Sequence, residues 1–254
     1  MGRLLTGEKT PEQLQALRDG GRILATIFSE IKKFVHAGMT EREVDAFTED
    51  RIAHYGAEPT YKEPSVDFPG VICISTNDEV VHGVPTDAAF RKGDLVSFDM
   101  VIRYKGMCVD SGFCMVVDDE PKGDVKRLID FTERALYAGI DAIKGETRVG
   151  DISAAIEAVL REGRLGIVRE LVGHGVGFEM HMEPDIPNYG TKGTGPLLRP
   201  GDTIAIEPIT TLGSEQIVQL GDGWTISTRD GSLSAYAEHT VLITEDGAEI
   251  LTLL

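Results

Sequence analysis

With 254 residues, of which 41% are hydrophobic and 26% charged, the chain holds enough apolar material for a substantial core in one large or two small domains. Its 42 acidic against 25 basic residues, a formal charge of -17, argue against nucleic-acid and anionic-membrane surfaces, both of which need basic faces. No run approaches the roughly 20 apolar residues of a membrane span, and MGRLLTGEKTPEQLQ lacks a signal-peptide core, so a cytoplasmic chain is expected. Cys73, Cys108 and Cys114 have no CxxC spacing and read as reduced thiols.

Thr10, Pro11, Glu12 and Gln13 form a capping box with proline at the first helical position. Leu14, Leu17, Leu24, Ile27, Phe28, Ile31 and Val35 follow at helical spacing and predict an amphipathic helix, which tolerates Gly20 and Gly21 at about 1 kcal/mol each. A second box, Thr40 with Glu43, opens a helix through Val44, Phe47 and Ile52 that stops at Gly56. Residues 59–70 read as a polar loop and 71–75 as a short strand. Residues 77–85, NDEVVHGVP, return as strand or loop and carry His82. The apolar runs 95–102 and 107–117, joined by Arg103, Tyr104, Lys105 and Gly106, give a short hairpin signal. Residues 124–144 predict a helix ended by Gly145, and Asp151 caps another through Ile152, Ala155, Ile156 and Val159. Strands follow.

The hairpin runs each hold a carboxylate where a buried strand disfavours it, Asp99 and Asp110. A turn pairing Ile102 with Met107 sets them directly opposite each other, like charges across a strand pair. On a solvated face they need no partner; among Val96, Phe98, Met100, Val109 and Phe113, a cation between them is the expectation.

The pattern recurs. Arg91-Lys92-Gly93-Asp94 leads through an apolar run to Asp99, and Arg199-Pro200-Gly201-Asp202 leads likewise to Glu207, so a duplicated, pseudo-symmetric α/β domain is expected, with acids from both halves at the join. The second half adds His174 among glycines in GHGVG, then His181, and Glu238 in the apolar strand AYAEHTV. Four carboxylates and a histidine in apolar strands suit two divalent metals that share bridging carboxylates. No HExxH helix, phosphate-binding loop or GxSxG elbow is present, and GHGVG lacks the third spaced glycine of a dinucleotide turn.

Taken together, SxNDEVVHGVP around His82, Asp99 and Asp110 eleven apart, GHGVG at His174, AIEP at Glu207 and AEHTV at Glu238 resemble the methionine aminopeptidases along nearly the whole chain. The resemblance implies a pita-bread fold: two pseudo-symmetric halves, about 10–120 and 121–254 of one catalytic domain spanning 1–254, sharing a curved antiparallel sheet covered by helices. It implies that Asp99 ligates one metal and His174 the other, that Asp110 and Glu238 bridge, and that Glu207 ligates beside the attacking water and serves as general base. His181 would donate to the substrate carbonyl oxygen, and His82 would contact the scissile amide or leaving group.

By the same resemblance Phe68, Cys73, Met180 and Trp224 form an apolar methionine pocket, whose sulfur and aromatic groups suit a thioether. Asn77, Glu79 and Ser234 match a position for a sodium or potassium ion. The divalent ions implied are cobalt, manganese, iron or zinc. Expected partners are N-terminal Met peptides and nascent chains with a small second residue, with ribosome association, a monomeric state, and no nucleic-acid or membrane partner. The short interval between His174 and Glu207 points to the bacterial, type 1 subclass. Met182, Lys62 and Ser65 depart from the family at pocket-rim positions and bear on substrate preference. Met1 and Gly2 themselves fit such a substrate. A proline-directed prolidase or aminopeptidase relative and a non-catalytic pita-bread binding protein are the competing readings.

Overall fold

Helices form where caps and periodicity place them. The computed structural model describes residues 4–254, so Met1 and Gly2 lie outside it. Helix α1 (Pro11–Phe34) and helix α2 (Glu41–His54) are each opened by the expected reciprocal capping box, Thr10 with Gln13 and Thr40 with Glu43. Helices α3 (Gly123–Asp141) and α4 (Val149–Glu162) follow. Asp151 is not the cap of α4 but its third residue: its carboxylate reaches back to accept the Arg148 N–H at 3.3 Å. The helix starts earlier, where the Val149 and Gly150 N–H groups of its first turn are taken by the Pro196 and Thr194 carbonyls, each at 3.0 Å.

Nine strands make one antiparallel sheet: β1 (Glu58–Pro59), β2 (Cys73–Thr76), β3 (Leu95–Tyr104), β4 (Met107–Val116), β5 (Gly173–Gly175), β6 (Met182–Ile186), β7 (Thr203–Ile206), β8 (Glu238–Ile243) and β9 (Ala248–Ile250). The order is β1-β3-β4-β8-β7-β5-β6, with β2 on the free stretch of β3 and β9 on β8. Residues 77–85 contribute only a short strand, Glu79–Val81, in a separate small sheet.

The β3–β4 turn corrects the expected register. Tyr104, not Ile102, pairs with Met107, so the loop is the two residues Lys105 and Gly106, both at positive φ as a tight primed turn requires. Asp99 therefore faces Gly112, and Asp110 faces Val101. The acids are diagonal rather than opposed. A slip of two residues, unlike a slip of one, leaves every side chain on its own face, so the acids still share a side of the sheet.

That side is the functional one. Val96, Phe98, Met100 and Ile102 of β3 join Leu17, Leu24, Ile27 and Ile31 of α1 in one core. A second core sets Leu128, Leu136, Ile152 and Ile156 of α3 and α4 against Ile204, Ile206 and Val241. The alternate residues, Asp99, Val101 and Cys108, look the other way, toward a smaller cluster with Tyr61, Phe68 and Cys73. Helices over one face of a curled antiparallel sheet make the α/β layering that the resemblance implies.

The Gly-Asp repeat is physical. Asp94 and Asp202 each take the N–H three residues upstream, Arg91 at 2.7 Å and Arg199 at 2.9 Å. Their carbonyls accept from Val117 and Ile243, both at 2.9 Å, at the far ends of the partner strands. Equivalent turns thus launch β3 toward Asp99 and β7 toward Glu207. Asp202, fully buried, also accepts from the Thr6 backbone at 2.9 Å and hydroxyl at 3.1 Å. Removing it in Asp202→Ala strands these donors, and the unfolding free energy is expected to fall by about 2–3 kcal/mol, measured from the denaturant midpoint; an unchanged midpoint would contradict this.

Candidate metal centre

Adjacent strands carry the acids to one place. Asp99 on β3 and Asp110 on β4 are diagonal neighbours; Glu238 pairs with Gly112, the residue opposite Asp99; and Glu207 follows β7 where Ile206 pairs with His239. His174 pairs with Ala205 from the outer side of β7. The flanking glycines make this approach feasible: a Cβ on Gly173 would sit 2.4 Å from the Ala205 carbonyl oxygen, and one on Gly175 would sit 2.3 Å from that of Glu183. The hydroxyl of Thr240 locks β4 to β8, accepting the Asp110 N–H at 2.9 Å and donating to the Asp110 carbonyl at 2.7 Å.

All five ligand candidates are buried, Glu238 to 1% and Asp110 to 3% exposure. Three groups each gather ligand atoms within 4.8 Å of one another: Asp99, Asp110 and Glu238; His174, Glu207 and Glu238; and Asp110, His174 and His181. Among the described residues, no Lys or Arg lines the space between them. Asp110 Oδ1 and Glu238 Oε1 are buried without any hydrogen-bond partner. The Gly175 carbonyl, 3.0 Å from His174 Nδ1, can only accept, so the proton lies on Nδ1 and the Nε2 lone pair points at Asp110 Oδ2, 3.6 Å away, and Glu207 Oε1, 3.5 Å away. A lone pair aimed at carboxylates, beside orphaned carboxylate oxygens, fits divalent cations and little else.

Burial pushes Asp99 up to about 7. Burial, reinforced by the neighbouring acids, drives Asp110, Glu207 and Glu238 well above the carboxylate range. Burial lowers His174 to about 3, and His82 and His239 to about 4. The histidines, whose ordinary value is 6.5, cost stability only as pH falls below that value toward 3 or 4, where the unfolded chain is protonated and the folded one resists it. The carboxylates act oppositely, being proton-bound in the fold and losing that advantage as pH rises through about 7. Of these groups, only the carboxylates still change above 6.5. The melting temperature of chelator-treated protein is therefore expected to fall between pH 6.5 and 8, and Mn(II) to abolish the fall; a flat profile in chelator would refute this.

Asp99, Asp110 and Glu207 line a cleft of about 750 Å³, with Glu238 buried beside them. His82 and His181 line it, with Phe68, Cys73, Met180 and Trp224. Phe68 packs edge-on against Trp224 at 5.4 Å, and the His181 ring stands perpendicular to that of His174 at 4.1 Å. Met182 and Ser65 also reach the cleft. Lys62 does not: it is exposed, with its amine 3.6 Å from Glu49. Asn77 accepts the Ser234 N–H at 2.9 Å, and Ser234 donates its hydroxyl to the Thr210 carbonyl at 2.9 Å. The Glu79 carboxylate accepts from the Thr76 N–H at 2.8 Å.

Sequence reasoning did not select Tyr61, Tyr236 or Asn188. The Tyr61 hydroxyl lies 3.2 Å from both Asp99 oxygens, and that of Tyr236 lies 2.5 Å from Glu238 Oε2. Fully buried Asn188 donates to the Glu207 carbonyl at 2.9 Å. Tyr236 was within reach of strand parity, two residues before Glu238. Tyr61 sits in a short 3-10 turn, Thr60–Lys62, and Asn188 in a loop, where no periodicity signals direction.

The comparisons agree with this geometry. The model of metallopeptidase family M24 matches residues 15–245. Methionine aminopeptidase 1 of Bacillus subtilis is 40% identical over 96% of this chain and 98% of its own, and the methionine aminopeptidase of Escherichia coli is 35% identical over 96% and 93%. The crystal structure of the methionine aminopeptidase from Thermotoga maritima superposes with a TM-score of 0.93 at 38% identity, covering 97% of this chain and 98% of that one. Prolidase from Pyrococcus furiosus gives 0.77 at 25% identity, and only 65% of it is covered. A carboxylate and histidine floor on a pseudo-symmetric sheet, matched from end to end by such relatives, places this chain in metallopeptidase family M24.

Proposed function

We propose that the chain removes the N-terminal methionine from peptides and nascent chains whose second residue is small, as a metal-dependent aminopeptidase built on residues 1–254, with both halves, 10–120 and 121–254, supplying ligands. The observation that carries this is the convergence of Asp99, Asp110, His174, Glu207 and Glu238, with two orphaned carboxylate oxygens, beneath an apolar cleft. The relatives that cover almost all of both chains are methionine aminopeptidases, which favours this reading over a prolidase. The intact donor set weighs against a purely binding role.

Asp99, Asp110, His174, Glu207 and Glu238 would hold the ions, Asp99 at one position, His174 at the other, with Asp110 and Glu238 contributing to both. Bound there, two divalent ions (cobalt, manganese, iron or zinc) supply Lewis acidity to the scissile carbonyl and acidify water. Glu207, kept ionised by adjacent cations, takes the proton of the attacking water and passes it to the departing amine. His181 donates to the developing oxyanion, and His82, neutral at pH 7 with its pKa lowered to about 4, hydrogen-bonds the scissile amide. Phe68, Cys73, Met180 and Trp224 hold the methionine thioether. A sodium or potassium ion would be held at Asn77, Glu79 and Ser234, largely by main-chain oxygens. The enzyme works as a cytoplasmic monomer near the ribosome.

The test is release of free methionine by Mn(II)-, Co(II)-, Fe(II)- or Zn(II)-loaded protein. Met-Ala and Met-Gly peptides are expected to be cleaved at least ~10-fold faster than Met-Leu. No release from any loaded protein would end this reading, and cleavage confined to Xaa-Pro peptides would favour the proline-directed one.

A further inference from the structure

Two tyrosines touch the carboxylate cluster, and both meet the same subset of it. The Tyr61 hydroxyl is equidistant, 3.2 Å, from both oxygens of Asp99, so it sits on the bisector of that carboxylate. The Tyr236 hydroxyl lies 2.5 Å from Glu238 Oε2 and leaves Oε1, the orphaned oxygen, facing the cluster. Asp99 and Glu238, with Asp110, form the one group made of oxygen donors alone. The groups containing His174 have no phenol on Glu207 or on His174 itself, whose ring is fixed by the Gly175 carbonyl instead.

Both phenols are held from several sides. Tyr61 packs edge-on against Phe68 at 5.4 Å, and the preceding Thr60 ties its turn to the Val101 carbonyl at 2.7 Å, two residues beyond Asp99. The Tyr236 ring covers Gly112, where a Cβ would come within 2.1 Å of it, so only glycine opposite Asp99 admits the ring. A phenol keeps its proton at neutral pH, so each hydroxyl can donate to the carboxylate it touches. Neither residue has a part in the mechanism above.

We propose that the Tyr61 and Tyr236 hydroxyls are positioning groups that hold Asp99 and Glu238 in ligating orientation: Tyr61, through Asp99, sets the affinity of the all-oxygen ion position separately from the position built around His174, whereas Tyr236 acts through Glu238, which both positions share. A carboxylate free to rotate must be ordered when an ion arrives, and a fixed donor on its outer side does that beforehand. The inference rests on the metal reading above, and its test separates the two.

Mn(II) is titrated calorimetrically into chelator-stripped wild type, Tyr61→Phe and Tyr236→Phe, the rings being retained so that packing on Phe68 and Gly112 survives. Wild type is expected to show two binding steps. Tyr61→Phe is expected to lose about 10-fold or more in one step with the other within twofold, and Tyr236→Phe to weaken both steps. Metal-free thermal melts give the folding control, and the Tyr61 variant, which leaves Glu238 and Tyr236 untouched, remains informative if the Tyr236 variant is unstable. Two unshifted steps in both variants, or equal weakening of both steps by Tyr61→Phe, would overturn the inference. No Mn(II) uptake by wild type would overturn the metal reading and this inference with it.

Discussion

Glu207→Gln is expected to lower kcat for Met-Ala hydrolysis by about 10³–10⁴-fold while KM changes little, the loss typical of a missing general base. Gln preserves the size of the side chain and one ligating oxygen, and Asn188 still anchors the backbone through the Glu207 carbonyl at 2.9 Å. What disappears is the proton acceptor. Because the pocket residues Phe68 and Trp224 and the donors His82 and His181 are untouched, ground-state binding should persist. Steady-state kinetics on the Mn(II)-loaded variant decides the matter; a KM effect with kcat preserved would move Glu207 from chemistry to binding.

Asp110→Asn carries the second large effect, in two opposite directions. Asp110 is 3% exposed, one of its oxygens has no partner, and burial with the neighbouring Asp99 charge drives its pKa well up. Without metal, ionising it at pH 8 is a cost that Asn does not carry, so the chelator-treated variant should melt above wild type there. Belonging to both an Asp99 and a His174 group, it is also a donor whose loss is expected to harm both ion positions. Mn(II) should then raise the melting temperature of wild type but not of the variant, and methionine release should drop by at least ~10⁴-fold. A variant less stable than wild type in chelator would show that Asp110 holds the fold rather than the ions.

What could be read in the sequence divides along physical lines. Capping boxes at Thr10 and Thr40 are local, reciprocal hydrogen bonds, and both helices open on them. The acid-bearing strands were legible because a carboxylate in an apolar run conflicts with its neighbours, and because the Gly-Asp turn repeats with the same hydrogen bonds in each half. The β3–β4 register was misread by two residues, since Arg103 and Tyr104 look like loop but continue the strand. Arg103 does so by lying half-buried, bonded to Glu63 at 2.9 Å and to the Phe178 carbonyl at 3.1 Å, partners far away in sequence. The error left Asp99 and Asp110 on one face, so the convergence survived it. Lys62 was placed on the rim by resemblance alone, and its pairing with Glu49 on α2 is a tertiary choice that no local pattern encodes. Tyr61 and Asn188 escaped for the same reason: loops aim side chains by long-range contacts.

The direct test of the whole account is to strip the protein with chelator, return Mn(II) stepwise, and measure bound ions per chain and methionine released from Met-Ala in the same samples. The account predicts no release from stripped protein, and activity that rises with ion uptake to two per chain. Full release from ion-free protein, or saturation with no ion retained, would contradict it.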